Sequence, residues 1–139
     1  MAWVVFTDLD GTLLDSEYSF EEALDTLLWL ENNNIPVVFC SSKTKAEIEV
    51  IRKELNNNHP FISENGGGVF IPLGYFAVEG VVRDNYVVIE LGIGYDELRE
   101  KIKEIEREVG CRIIGFGDLS IEDIMKLTGL GVEEAVLAK

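Results

Sequence analysis

Asp8 and Asp10 stand two positions apart, directly after the apolar run Trp3-Val4-Val5-Phe6 and just before Gly11. On an extended backbone, side chains repeat their direction every second residue, so the two carboxylates project to one side. Like charges held that close raise the free energy unless a cation, a shared proton or a reacting group offsets them. The pair is therefore a candidate centre for carboxylate chemistry: nucleophilic attack, proton transfer or binding of a divalent cation. An ordinary Asx-rich junction between a strand and a turn is the alternative.

These carboxylates need a rigid platform, and the flanking sequence predicts one. Residues 2–7 read as a strand apolar on both faces, the pattern of a parallel-sheet interior. Residues 20–32 read as a helix, with Ser19 and Glu22 in capping-box spacing and Phe20, Ala23, Leu24, Leu27 and Leu28 at helical intervals. Asn32-Asn33-Asn34 closes it, and Ile35 to Cys40 gives a second buried strand. Thr44 and Glu47 repeat the capping box before the stripe Ile48, Ile51, Leu55, and Pro60 to Ser63 begins a third strand. The expected fold class is α/β: a βαβαβ half with right-handed crossovers and a parallel sheet. Sites in such sheets gather at the carboxyl ends of the strands, where Asp8, Ser41 and Glu64 fall.

After Gly66-Gly67-Gly68 the pattern changes. Val69–Ile71 and Tyr86–Leu91 suggest strands joined by glycine-bearing turns. Residues 95–109 form an amphipathic helix with Leu98, Ile102, Ile105 and Val109 on one face and a Glu97–Lys101 pair on the other. Arg112 to Phe116 reads as a further strand, and Ser120 with Asp123 as the cap of a last amphipathic helix. The expected division is 1–80, a sheet-based core, and 81–139, a smaller α+β unit.

Composition narrows the function. The 139 residues carry 12 Lys+Arg against 26 Asp+Glu, a net charge of −14, which repels phosphate backbones and argues against nucleic-acid binding. No apolar stretch reaches the roughly 20 residues of a membrane span, and the start lacks a signal peptide's basic and apolar regions. Cys40 and Cys111 lie in apolar runs without metal-ligand spacing, so buried free thiols in a cytoplasmic protein are expected. Trp3 and Trp29 are expected in the core, and His59 in a loop.

Asp8-Leu9-Asp10-Gly11-Thr12, a strand-end Ser41-Ser42-Lys43 and the order of the elements between them resemble the haloacid dehalogenase superfamily of phosphotransferases. Within it, Phe39–Thr44, Pro60–Gly66, Phe70–Pro72, Val88–Gly92 and Leu127–Leu130 look like the mannosyl-3-phosphoglycerate phosphatase family. The resemblance implies a Rossmann-like core followed by part of an α+β cap domain. It implies Asp8 as nucleophile, Asp10 as acid–base, and Mg²⁺ held by the Asp8 carboxylate and the Asp10 main-chain carbonyl. Ser41 and Ser42 would bind phosphate, with Lys43, Asn65 and Gly66 at the substrate. The implied substrate is a small phosphorylated sugar or glycosyl-glycerate.

Two required elements of that superfamily, a later lysine and a second acidic motif, have one candidate here: Gly117-Asp118 with Asp123. Their spacing equally fits a turn and a helix cap, and on that reading the chain ends inside the cap. The first strand then has an uncovered edge, through which self-association is expected. A complete small phosphatase using Asp118 and Asp123 is the rival, together with a non-catalytic metal-binding module. A phosphorelay receiver domain needs an aspartate at the end of the third strand, where Ser63-Glu64-Asn65 stands.

Overall fold

A computed structural model describes residues 3–139. Two compact units divide the chain between Leu91 and Gly92. The first is built on one six-stranded sheet. Its elements begin with β1 (Val5–Thr7), a 3₁₀ turn (Glu21–Ala23), α1 (Leu24–Asn32), β2 (Val37–Cys40), α2 (Lys45–Glu54) and β3 (Phe61–Ser63). β4 (Gly68–Pro72), β5 (Val81–Arg83) and β6 (Tyr86–Glu90) complete the sheet in the order β1-β2-β3-β4-β6-β5.

The first three strands are parallel, with Val5 opposite Val37 and Phe39 opposite Phe61, as a βαβαβ unit requires. β4 turns back antiparallel on β3 and continues the sheet into β6 and β5. Residues 81–91, which the sequence assigns to the second unit, thus carry sheet strands of the first. Ala2, the first residue of the expected first strand, lies outside the described residues.

Side chains from alternate strand positions form the core. Val37, Phe39 and Phe61 share one face and pack with Leu9, Leu14 and Ile48, with Val5, Leu27, Leu30, Ile51 and Leu55 around them. Burial of such side chains contributes about 1.5–3 kcal/mol each. Phe61 stacks on Phe70 at 4.8 Å, and Tyr86 meets both rings edge-on. The opposite direction of alternation leaves Val4 and Phe6 exposed, with Trp3 66% exposed beside an edge strand. Trp29 projects outward from α1 and is also exposed. Neither tryptophan is a core residue: Trp3 precedes β1, which among the described residues pairs with β2 alone, and Trp29 lies on the exposed side of α1.

The helix over 20–32 also differs at its start. Ser19 and Glu22 form no capping box; the Ser19 hydroxyl oxygen accepts the Glu21 N–H instead, and a 3₁₀ turn precedes α1. The capping box at α2 does form.

The second unit contains α3 (Tyr95–Val109), α4 (Ile121–Thr128) and α5 (Val132–Ala138). Gly110, at φ +69°, ends α3 in the left-handed conformation that glycine adopts without steric cost. Lys101 pairs with Glu104 at 2.9 Å rather than with Glu97. Arg112 to Phe116 is not a strand: it pairs with no strand among the described residues and forms a loop running into a 3₁₀ turn, Phe116–Asp118. Cys111 in this loop is exposed, not buried. No helix among the described residues is long and apolar enough to cross a membrane.

Candidate active site

Three strand ends build the site, all at the carboxyl edge of the parallel strands. Asp8 follows β1 directly, and its Oδ1 accepts the Leu9 N–H at 2.7 Å. The chain then folds into a tight loop in which the Leu9 carbonyl accepts the N–H groups of Thr12, Leu13 and Leu14. Gly11, at φ +67°, allows that reversal. Leu9 is fully buried between the two exposed aspartates, so it anchors the loop in the core while both carboxylates face outward.

Ser41 follows β2 directly, and its N–H donates to the Ile62 carbonyl of β3. Its side chain is 5% exposed, and its hydroxyl oxygen accepts the Lys43 N–H at 3.2 Å. The Ser41 O–H proton is thereby left to donate elsewhere. Ser42 is exposed just before α2. At the start of that helix the Thr44 hydroxyl oxygen accepts the Glu47 N–H while Glu47 Oε2 accepts the Thr44 N–H at 2.8 Å. Capping fixes the direction of α2, whose N-terminal dipole favours an anion beside Ser41-Ser42.

Asn65 and Gly66 follow β3 in a 3₁₀ turn. The Asn65 N–H donates to the Ser41 carbonyl at 3.1 Å, and the Glu64 N–H donates to the Lys43 carbonyl, so the turn is tied to the loop after β2. Glu64 and Asn65 both have φ above +50°, an arrangement that costs free energy for residues with a Cβ.

Asp8, Ser41, Ser42, Asn65 and Gly66 line one open cavity of about 370 Å³, together with Phe6, Thr7, Cys40 and Ile62. The sequence assigns none of the last four a role of its own; their places at strand ends bring them to the cavity. Cys40 is half-buried rather than buried, and burial, followed by the nearby Asp8 charge, pushes its thiol up from its ordinary pKa. Asp10 and Lys43 do not line this cavity. They meet each other instead, Lys43 Nζ lying 2.9 Å from Asp10 Oδ1. Tyr18, which the sequence does not single out, places its ring centroid 5.1 Å from the same ammonium.

Asp118 and Asp123 are occupied locally. Asp118 accepts the Gly115 N–H and pairs with Arg99, and Asp123 exchanges hydrogen bonds with Ser120 at the start of α4. His59 is a loop residue, as expected, with Nδ1 2.8 Å from the Tyr75 hydroxyl and Nε2 3.3 Å from Glu31. Among the described residues no three His, Cys, Asp or Glu side chains cluster as a complete metal cage. The oxygens of Asp8 and Asp10 nevertheless suit a hard cation such as Mg²⁺, which retains waters and takes ligands from substrate phosphate.

Comparison with known proteins agrees with this architecture. A model of haloacid dehalogenase-like hydrolases matches residues 5–86, more than half of the chain. Glucosyl-3-phosphoglycerate/mannosyl-3-phosphoglycerate phosphatase of Methanococcoides burtonii is 47% identical over 100% of this chain and 53% of its own length. Mannosyl-3-phosphoglycerate phosphatase of Pyrococcus furiosus is 43% identical over 100% of this chain and 57% of its own. The chain thus spans about half the length of the curated relatives it matches. A haloalkanoate-superfamily phosphatase from Bacteroides thetaiotaomicron has the same fold, with a TM-score of 0.59 at 20% identity, covering 100% of this chain and 53% of that one. From the strand-end aspartates to the parallel sheet that carries them, this chain belongs to the haloacid dehalogenase-like hydrolase family.

Proposed function

We propose that this chain carries the nucleophile and the phosphate cradle of a phosphomonoester hydrolase acting on a small phosphorylated sugar or glycosyl-glycerate. The observation that carries the reading is the shared cavity, which Asp8 lines together with Ser41, Ser42 and the Asn65-Gly66 turn. The names of the relatives support glucosyl- or mannosyl-3-phosphoglycerate as the substrate class. Residues up to Leu91, which include the last two sheet strands, then serve as the core unit, and those from Gly92 as part of a cap domain.

In the reaction an Asp8 carboxylate oxygen attacks phosphorus as the ester P–O bond breaks, giving an aspartyl-phosphate. Asp10 gives a proton to the departing alkoxide. It then takes a proton from the water that attacks phosphorus, and the Asp8 carboxylate and inorganic phosphate leave. The Ser41 hydroxyl and the Ser42 N–H donate to the phosphoryl oxygens, where donors aimed at developing charge lower the barrier. The Asp8 carboxylate and the Asp10 main-chain carbonyl would hold Mg²⁺, which would supply charge neutralisation at the phosphoryl group.

The test is hydrolysis of an aryl phosphate with and without Mg²⁺, followed by glucosyl- and mannosyl-3-phosphoglycerate. Magnesium-dependent turnover lost in Asp8→Asn supports the reading and excludes a non-catalytic metal-binding module. Turnover insensitive to that substitution overturns it.

A further inference from the structure

We propose that Lys43 is a positioning residue for Asp10 rather than a ligand of the phosphate, and that Tyr18 holds it there. The inference rests on the phosphatase reading above and assigns a role inside that site. Lys43 follows the phosphate-cradling serines directly, a place from which an ammonium would be expected to reach the substrate. Its side chain instead turns away from the cavity beside Asp8 and meets Asp10 at 2.9 Å. The backbone fixes that direction. The Lys43 N–H donates to Ser41 Oγ and its carbonyl accepts the Glu64 N–H, so both peptide groups of Lys43 are tied to neighbouring strand ends.

The ammonium is enclosed as well as paired. The Lys43 side chain is 16% exposed, and the Tyr18 ring lies 5.1 Å from Nζ, within range of a cation–π contact. Tyr18 holds φ +60°, an unfavourable conformation for a bulky residue. The Asp15 carboxylate sustains it by accepting the Glu17 and Ser19 N–H groups across the loop. Asp10 lies on a short loop and is 39% exposed. The Lys43 contact therefore bridges the loop bearing the nucleophile and the loop bearing the phosphate cradle. A proton donor displaced by about 1 Å can lose on the order of a hundredfold in rate, so a fixed Asp10 matters to turnover.

The experiment is a double-mutant cycle on kcat and KM for an aryl phosphate with Mg²⁺, using Lys43→Met, Asp10→Ala and the double variant. Expected for Lys43→Met is a kcat lower by roughly tenfold to a hundredfold with KM unchanged. Lys43→Arg should restore most of the rate, Tyr18→Leu should give a smaller loss of the same kind, and Lys43→Met should add nothing in the Asp10→Ala background. A raised KM with kcat unchanged, or full additivity with Asp10→Ala, overturns the proposal. Asp8→Asn separates the two readings. If it leaves turnover intact, the nucleophile assignment fails whatever Lys43 does. If it abolishes turnover while Lys43→Met changes nothing, only the positioning role fails. Absence of turnover in the unaltered chain overturns both.

Discussion

The Asn65 N–H donates to the Ser41 carbonyl at 3.1 Å, joining the turn after β3 to the candidate phosphate cradle after β2. Asn65 makes this contact at φ +54°, in the left-handed region that asparagine tolerates better than most residues and β-branched residues avoid. Asn65→Gly should keep the turn and the hydrolytic rate. Asn65→Val should destabilise the protein by about 1–2 kcal/mol and weaken substrate binding, because the strained turn no longer braces Ser41. Urea unfolding and KM for an aryl phosphate check both halves of the expectation.

An uncovered strand edge predicts association. β1 is the last strand of the sheet on its side, and Val4 and Phe6 are exposed by 48% and 60% beside Trp3. Unpaired edge groups and an apolar face together are a template for pairing with another copy. The protein should sediment with a concentration-dependent coefficient, and Val4→Lys should return it to a monomer. Identical monomeric behaviour of both proteins would dismiss the edge as an association surface.

Local signals and long-range ones differed in how well they could be read. The parallel βαβ order, the Thr44–Glu47 cap and the end of α3 before Gly110 rest on neighbouring residues, and each was legible in the chain. So was the placement of Asp8, Ser41 and Glu64 just after the carboxyl ends of the three parallel strands. The segment from Arg112 to Phe116 has a strand's composition, but a strand exists only where a partner completes its ladder. Trp3 and Trp29 looked like core residues by type, while exposure depends on which sheet and helix faces have neighbours. The Lys43–Asp10 contact joins residues 33 positions apart in sequence, and no spacing rule anticipates it.

Arg52 should be among the most stability-critical polar residues. It is 6% exposed, and its guanidinium donates to the Tyr86 hydroxyl at 2.8 Å and the His59 carbonyl at 2.6 Å. It also lies 4.6 Å from the Phe61 ring centroid, so one side chain links α2 to β6 and the approach to β3. Arg52→Met preserves much of the packing but leaves the Tyr86 hydroxyl and a carbonyl without their donor, a cost of about 2–3 kcal/mol. Arg52→Lys should recover little of this, since one ammonium cannot reproduce the planar fork. Denaturant midpoints of the two variants and of Tyr86→Phe test the argument.

Asp118 distinguishes a structural acid from a catalytic one. The Gly115 N–H and then the Arg99 guanidinium hold its carboxyl below the ordinary aspartate pKa of 3.8. A lowered folded-state pKa means the unfolded chain binds the proton more readily, so stability rises with pH through this range. The contribution is fully present above the ordinary value and is lost as pH falls through the folded one. Asp118→Asn should therefore lower the thermal midpoint of the helical signal near neutral pH, with the difference from the unaltered protein shrinking below about pH 4. Magnesium-dependent hydrolysis should survive the substitution when assayed below that midpoint. Its selective loss, with the thermal midpoint unchanged, would instead make Asp118 part of a complete catalytic centre within these 139 residues.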